Sequence, residues 1–84
     1  MYKVVINKQV LKSLDKVPAD YLLKIREAVN SLEQEPRPFG CIKMSGFVNL
    51  YRIRAGIYRI VYSIEDTILT VEIVKIDHRS RVYK

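Results

Sequence analysis

The chain has 84 residues, of which 49% are hydrophobic, and it carries 15 Lys and Arg against 9 Asp and Glu, for a formal net charge of +6. This length allows one domain over residues 1–84 with a modest core, and its single cysteine (Cys41) and single histidine (His78) exclude a disulfide framework and a multi-cysteine zinc site. No apolar run approaches the roughly 20 residues of a membrane span, and the first residues lack the apolar core of a signal peptide. We therefore expect a soluble, basic, cytoplasmic domain that works without a metal or a cofactor.

The N-terminal part predicts a short strand followed by two helices. Tyr2–Ile6 contains a run of apolar residues that is typical of a buried strand. Asn7 can cap a helix in which apolar residues recur at helical spacing as far as Val17. Pro18 ends that helix and can begin the next one, because a first turn does not need the N–H that proline lacks. Apolar residues on one face then predict an amphipathic helix over residues 19–34, antiparallel to the first.

The C-terminal part predicts three antiparallel strands after an irregular connector. The connector begins at Pro36, since the Pro-Arg-Pro string cannot continue a helix. Beyond Gly46 the apolar period changes from helical to alternating, and the gaps between the strand candidates have hairpin length. These candidates are Val48–Arg54, Ile57–Ile64 and Ile68–Asp77. The expected fold is α+β, with an N-terminal strand, a two-helix hairpin and an antiparallel three-strand meander packed against the helices.

The basic residues differ in type along the chain. Residues 1–47 hold eight basic and five acidic groups and residues 48–84 hold seven and four, so the net charge is +3 in each part. Six of the eight cations in the first part are Lys, whereas five of the seven in the second part are Arg. Scattered Lys usually marks a solvated face, but guanidinium groups clustered on strands match the geometry of phosphate. The sequence therefore favours an anionic partner, and a nucleic acid in particular.

The hairpin around Ala55-Gly56 is expected to bring three arginines onto one face. In the register expected for a turn at Ala55-Gly56, the numbers of two residues that face each other across the hairpin sum to 111. Arg52 then lies opposite Arg59, and Arg54 lies opposite Ile57. Like charges opposite one another destabilise a sheet, so the three arginines on one face need an explanation. A bound phosphate would balance their charge, and an equally good explanation is that they keep the outer face soluble. The other face of the hairpin is apolar and is expected to pack on the helices: Tyr51, Ile53, Tyr58, Ile60, Tyr62 and Ile64.

The segment that follows the third meander strand adds groups for acid–base chemistry. His78 by itself is more often an incidental surface residue, Tyr83 equally suits a hydrophobic anchor for the tail, and Arg81 equally suits a solvated cation. Next to the arginines of the hairpin, however, these groups suit a metal-free phosphodiester site. Such a site needs a base for the ribose 2′-hydroxyl, cations for the phosphate and an acid for the leaving oxygen.

The string YRIRAGIYRIVY at residues 51–62, with HR at 78–79 and VY at 82–83, resembles the RelE/ParE superfamily of bacterial and archaeal toxins. The KMSG stretch at residues 43–46 is similar to the usual lead-in of that family, and the resemblance covers effectively the whole chain. It implies a RelE-like fold and the toxin of a type II toxin–antitoxin pair, neutralised by a small antitoxin that wraps it. The toxin alone is expected to be monomeric and to form a larger complex with its antitoxin.

Two activities occur in this superfamily. RelE-type members cut mRNA in the ribosomal A site, whereas ParE-type members inhibit DNA gyrase and generally lack the nuclease residues. The residue matches favour the first, a metal-independent endoribonuclease that depends on the ribosome, contacts mRNA and rRNA there, and uses attack by the 2′-hydroxyl. A gyrase-inhibiting toxin is the alternative, and a plain nucleic-acid-binding module is a third possibility.

The resemblance also implies roles for single residues. Arg59 and Arg79 would stabilise the charge on the scissile phosphate, and Tyr83 would stack on or orient the nucleotide. Arginine does not give up its proton, so proton transfer would rest more on His78, because histidine accepts and donates protons near neutral pH, with Tyr83 as the alternative general base. Arg52 and Arg54 would clamp the RNA backbone. The full set of candidate RNA-binding cations is Arg52, Arg54, Arg81 and Lys43.

Overall fold

The computed structural model describes residues 1–78, which form a mixed α+β domain. The first three elements are a strand and two α-helices, and four further strands follow a connector. Single turns of 3-10 helix occur at Leu14–Lys16 and Asp66–Ile68. The strands and helices in chain order are β1 Lys3–Ile6, α1 Lys8–Ser13, α2 Ala19–Ser31, β2 Ile42–Lys43, β3 Leu50–Ala55, β4 Tyr58–Glu65 and β5 Thr70–His78.

The helical part begins where the sequence predicts. The side chain of Asn7 caps α1 by accepting a hydrogen bond from the backbone N–H of Val10 at 2.9 Å. Pro18 is the N-cap residue of α2, as expected from its missing N–H. The predicted end of α2 at residue 34 is wrong by three residues. After Ser31 the backbone closes tighter turns, in which the N–H of Gln34 donates to the carbonyl of Ser31 at 3.2 Å.

The sheet contains the predicted meander and two additional strands at its edges. The strand order is β1-β5-β4-β3-β2, with β1 parallel to β5 and the other neighbours antiparallel. The two-residue strand β2 was not predicted, because two residues are too few to show an alternating pattern. β5 begins at Thr70 rather than at Ile68, because Leu69 has a left-handed backbone (φ 48°) that interrupts an extended strand.

The core lies between the helices and one face of the sheet. Among the described residues, the predicted apolar face of the hairpin supplies four of the twelve buried residues in the core cluster: Ile53, Ile60, Tyr62 and Ile64 are buried, and they cluster with buried helix residues such as Ile25. Complete burial of each large aliphatic side chain contributes about 2 kcal/mol, so this face holds the helices in place. Within residues 1–78, no helix is long and apolar enough to cross a membrane.

The register of the β3–β4 hairpin differs from the predicted one by two residues. Ala55 pairs with Tyr58 and Arg54 pairs with Arg59, so the loop is Gly56-Ile57 and the paired numbers sum to 113. The cause is Gly56, whose φ of +64° occupies the first loop position, where two-residue hairpins of type II′ favour glycine. A shift of two residues keeps every side chain on its original face, because side chains alternate with period two. The three arginines therefore still share a face.

Gly56→Ala should lower the free energy of unfolding by about 2 kcal/mol. The substitution is strained by the positive φ, and a Cβ at this position would lie 3.0 Å from ring atoms of Tyr21. Urea denaturation measures the change. In a Tyr21→Ala background the same substitution should lower the free energy of unfolding by only about 1 kcal/mol, because the steric contact is gone and only the backbone strain remains. Equal costs in the two backgrounds would contradict the steric contribution.

A cluster of polar contacts holds the connector against the end of the sheet farthest from Gly56. The guanidinium of Arg37 donates to both carboxylate oxygens of Asp66, at 3.2 and 2.9 Å, and lies 5.1 Å from the ring centre of Tyr51. The hydroxyl of Tyr2 donates to the same carboxylate at 2.6 Å. The buried hydroxyl of Tyr62 donates to the carbonyl of Pro36 at 2.7 Å. One carboxylate thus joins the start of β1, the connector and the β4–β5 turn.

This cluster predicts a loss of stability in acid. Hydrogen bonds from Arg37, and then from Tyr2, hold the pKa of Asp66 below its ordinary value of 3.8. A lowered pKa in the folded state means that the stabilisation is complete above about pH 3.8 and is lost as the pH falls through the folded value. Asp66→Asn should therefore lower the urea midpoint near neutral pH and flatten its decline in acid. Glu27→Gln, on the exposed surface of α2, is the control and should leave the decline unchanged.

Candidate nucleic-acid interface

The three arginines of the hairpin lie on the sheet face opposite the helices, which we call the arginine face. Arg54 pairs with Arg59 across β3 and β4, and Arg52 pairs with Val61, so all three side chains share one side of the sheet. Their strand neighbours Ile53 and Ile60 point the other way, into the core. The prediction that the hairpin gathers three arginines on one face is confirmed.

Arg59 is flanked by charges of both signs. Across the sheet it lies between Arg54 on β3 and Asp77 on β5. The carboxylate of Asp77 also lies 3.7 Å from the ammonium of Lys75 and accepts the backbone N–H of His78 at 2.8 Å. Asp77 is a counter-charge that the sequence pattern did not predict. The pairing of β4 with β5 would have revealed it, because a carboxylate at this register offsets part of the repulsion between the two arginines.

The three arginines differ in their access to solvent. Arg54 is exposed and Arg52 is half-buried, whereas Arg59 is only 1% exposed. Val61, which follows Arg59 on the same face, is also buried. A phosphate that approaches the arginine face therefore meets Arg54 and Arg52 before it meets Arg59. Burial lowers the local dielectric, so the charge of Arg59 acts more strongly on whatever phosphate reaches it.

His78 lies on the other side of the sheet. It pairs with Tyr58, and the two rings meet edge to face with centres 5.7 Å apart. Tyr58 in turn contacts Tyr21 of α2, with ring centres 5.6 Å apart. Because Asp77 is opposite Arg59, the next residue along β5 must point towards the helices. The structure therefore does not bring His78 together with Arg59, although the two were expected to share a site.

The remaining candidates are also separated from the arginine face or lie beyond the described residues. Lys43 in β2 is exposed and pairs with Tyr51, which points to the helix side of the sheet. Arg79, Arg81 and Tyr83 lie outside the described residues, so their roles stay predictions.

Comparison with known proteins identifies the family. Residues 4–83 match the family model described as the ParE toxin of a type II toxin–antitoxin system, parDE. The chain belongs to this toxin family.

Similar proteins show that this toxin is of the RelE type. It is 33% identical to the RelE1 protein of Methanocaldococcus jannaschii, over 99% of this chain and 96% of that protein, and 31% identical to the toxin RelG of Mycobacterium tuberculosis, over 99% and 97%. A chain in the crystal structure of the archaeal RelE–RelB complex from Pyrococcus horikoshii OT3 is 38% identical and superimposes with a TM-score of 0.84, over 95% of this chain and 97% of that one. The protein is a RelE-type toxin of a type II toxin–antitoxin system, and the predicted RelE-like fold is confirmed.

If the arginine face is a nucleic-acid interface, Arg54→Ala should weaken the binding of single-stranded RNA and make that binding less sensitive to salt. Each phosphate contact releases condensed counterions, so losing one should reduce the slope of log K against log salt by about 0.7. Filter binding at several salt concentrations measures the slope. Arg26→Ala removes the same charge from the exposed surface of α2 and is the matched control. An equal change in both variants would show that only net charge matters.

Proposed function

We propose that this toxin is a metal-independent endoribonuclease that cleaves mRNA in the ribosomal A site by attack of the substrate's own 2′-hydroxyl. The observation that carries the proposal is the arginine face, on which Arg52, Arg54 and Arg59 lie within one hairpin. An exposed cation, a half-buried one and a buried one together suit a flexible polyanion better than a small ligand. The similarity to the RelE1 and RelG toxins supports a toxic activity of the RelE type.

The proposed reaction forms a bond from the 2′-oxygen to phosphorus and breaks the bond from phosphorus to the 5′-oxygen. The 2′-hydroxyl proton passes to a base and an acid protonates the departing 5′-oxygen, so the products are a 2′,3′-cyclic phosphate and a 5′-hydroxyl. Negative charge grows on the phosphoryl oxygens in the transition state. In this scheme Arg54 and Arg52 hold the RNA backbone, and Arg59 stabilises that growing charge.

Proton transfer is assigned separately from charge stabilisation. A guanidinium cannot act as a base, so the arginine face by itself supplies only half of the chemistry. Of the two candidates, His78 at the end of β5 lies on the helix side and would have to reach the RNA from there, and Tyr83 lies outside the described residues. Arg79, also outside them, is proposed to share the charge-stabilising role of Arg59.

The shape of the protein supports a requirement for the ribosome. The arginine face is one side of a sheet, and 84 residues are too few to enclose an RNA strand around it. Arg54 and Arg52, the arginines proposed to hold the RNA backbone, lie at the accessible surface of this face, where RNA gains little of the positioning that a closed cleft provides. We propose that the ribosome supplies this positioning by holding the codon. A small cognate antitoxin is the proposed partner in the resting cell, as RelB is for the RelE chain in the Pyrococcus horikoshii complex.

The test uses programmed ribosomes and an mRNA that carries a single 2′-deoxynucleotide at the cleaved position. We expect cleavage of the all-ribose mRNA, ending in a cyclic phosphate, and none of the deoxy mRNA. Arg59→Ala should reduce the cleavage rate about 100-fold or more, because it removes a charge aimed at the transition state. Arg26→Ala is the control and should cleave at the wild-type rate. Intact all-ribose mRNA in the A site, with wild-type toxin that still binds its antitoxin, would refute the nuclease.

The alternative is a toxin that inhibits DNA gyrase, and the match to the ParE family model favours it. A supercoiling assay with purified gyrase distinguishes the two activities. Inhibition of supercoiling together with intact mRNA would replace the nuclease proposal with this one.

A further inference from the structure

A groove of about 550 Å³ lies at the edge of the sheet, beside the arginine face. Strand β2 covers β3 only at Tyr51 and Arg52. Beyond that point the edge of β3 borders the groove, whose other walls are the connector and the C-terminal half of α2. The lining residues that matter here are Phe39, Ile42, Arg52 and Arg54.

Phe39 is presented to solvent by a tight turn. The backbone N–H of Cys41 donates to the carbonyl of Pro38 at 3.0 Å, and Gly40 has a φ of +91°, as the third residue of a type II turn requires. Phe39 is therefore the second residue of this turn, and its side chain is fully exposed. Ile42, on the same wall, is 51% exposed. An exposed aromatic ring that contributes nothing to the core, but lines a groove, suggests a role in binding.

The charge of the groove selects the kind of ligand. Arg52 and Arg54 form one wall, and none of the lining residues in the described part of the chain is acidic. The ligand should therefore carry negative charge beside a flat apolar group. A nucleotide in a single strand has both, since its phosphate suits the guanidinium groups and its base suits an aromatic ring.

We propose that this groove binds one nucleotide of single-stranded RNA, with the backbone phosphate on Arg52 and Arg54 and the base stacked on Phe39. The inference rests on the proposed function, because it extends the RNA track from the arginine face around the edge of β3. It makes Phe39 a substrate-positioning residue that contacts RNA away from the buried Arg59. Stacking tolerates any base, so the groove would hold the strand without selecting a sequence. An acidic peptide is the competing ligand, and the experiment below separates the two.

The chain contains no tryptophan, so a single introduced indole reports on this groove alone. Phe39→Trp should show fluorescence that is quenched and saturates as 2′-O-methylated hexaadenylate is added, because a stacked base quenches an indole. This RNA has no free 2′-hydroxyl and cannot be cleaved by the proposed reaction. Phe47→Trp is the matched control, since Phe47 lies on the same connector, is 55% exposed and does not line the groove. Its fluorescence should stay unchanged.

Two further ligands test which part of the nucleotide is recognised. An abasic hexamer with the same number of phosphates should leave Phe39→Trp unquenched, and so should hexaglutamate. If either quenches as strongly as the RNA, the groove binds anions or acidic peptides rather than bases, and the proposal is overturned. Equal quenching of the Phe47→Trp variant by RNA would overturn it as well.

Affinity for the same RNA provides the second measurement. Phe39→Ala and Phe39→Leu should each weaken binding about tenfold, because aromatic stacking is lost in both. Phe39→Tyr and Phe47→Ala should bind like wild type. A Phe39→Leu variant with wild-type affinity would show that only apolar contact matters, against the proposed stacking.

The outcomes separate this inference from the nuclease proposal. If Phe39→Trp is quenched by RNA but the wild-type toxin leaves mRNA intact on ribosomes, the groove is an RNA site and the nuclease proposal fails. If mRNA is cleaved while Phe39→Trp stays unquenched and Phe39→Ala binds normally, the groove proposal fails alone.

Discussion

The register of the β3–β4 hairpin is the constraint on which the rest of the structure depends. Gly56 takes a left-handed backbone at the first loop position and thereby pairs Ala55 with Tyr58. From that pairing, strict alternation assigns every side chain of β3 and β4 to one of two faces. One face buries Ile60 and Tyr62 under the helices, and the other carries the arginines. The core and the candidate interface are thus two consequences of one turn.

The same alternation continues into β5 and governs the electrostatics of the arginine face. Asp77 falls opposite Arg59, which gives a buried guanidinium a carboxylate on one side and Arg54 on the other. A buried charge is tolerated when charged or polar neighbours offset its lost hydration. Arg59 is therefore held in place by the sheet before any ligand arrives, and that preorganisation is what stabilisation of a developing charge requires. His78, one residue further, necessarily turns to the helices.

The connector between α2 and β3 is mostly irregular in structure, but hydrogen bonds attach its start to the sheet. Asp66 holds Arg37 by two hydrogen bonds, and the hydroxyl of Tyr62 holds the carbonyl of Pro36. These contacts fix the start of the segment whose turn presents Phe39 beside the arginine face. The proposed binding surface thus combines a sheet face, a sheet edge and one anchored loop. Within residues 1–78, Arg54 and Arg52 are the accessible arginines of this surface, and Arg59 lies buried behind them.

The amino-acid sequence by itself determined the types of all the longer elements, though not the two-residue strand β2, because apolar spacing, the cap at Asn7 and the prolines act over a few residues only. It also determined that three arginines share a face, since a register error of two residues leaves the faces unchanged. Only the tertiary structure decided that Asp77 lies beside Arg59, that His78 lies on the opposite side, and that Phe39 borders the same surface. Each of these placements depends on the order in which the strands pair in the sheet. Contacts between residues distant in sequence settle that choice, and no local pattern contains them.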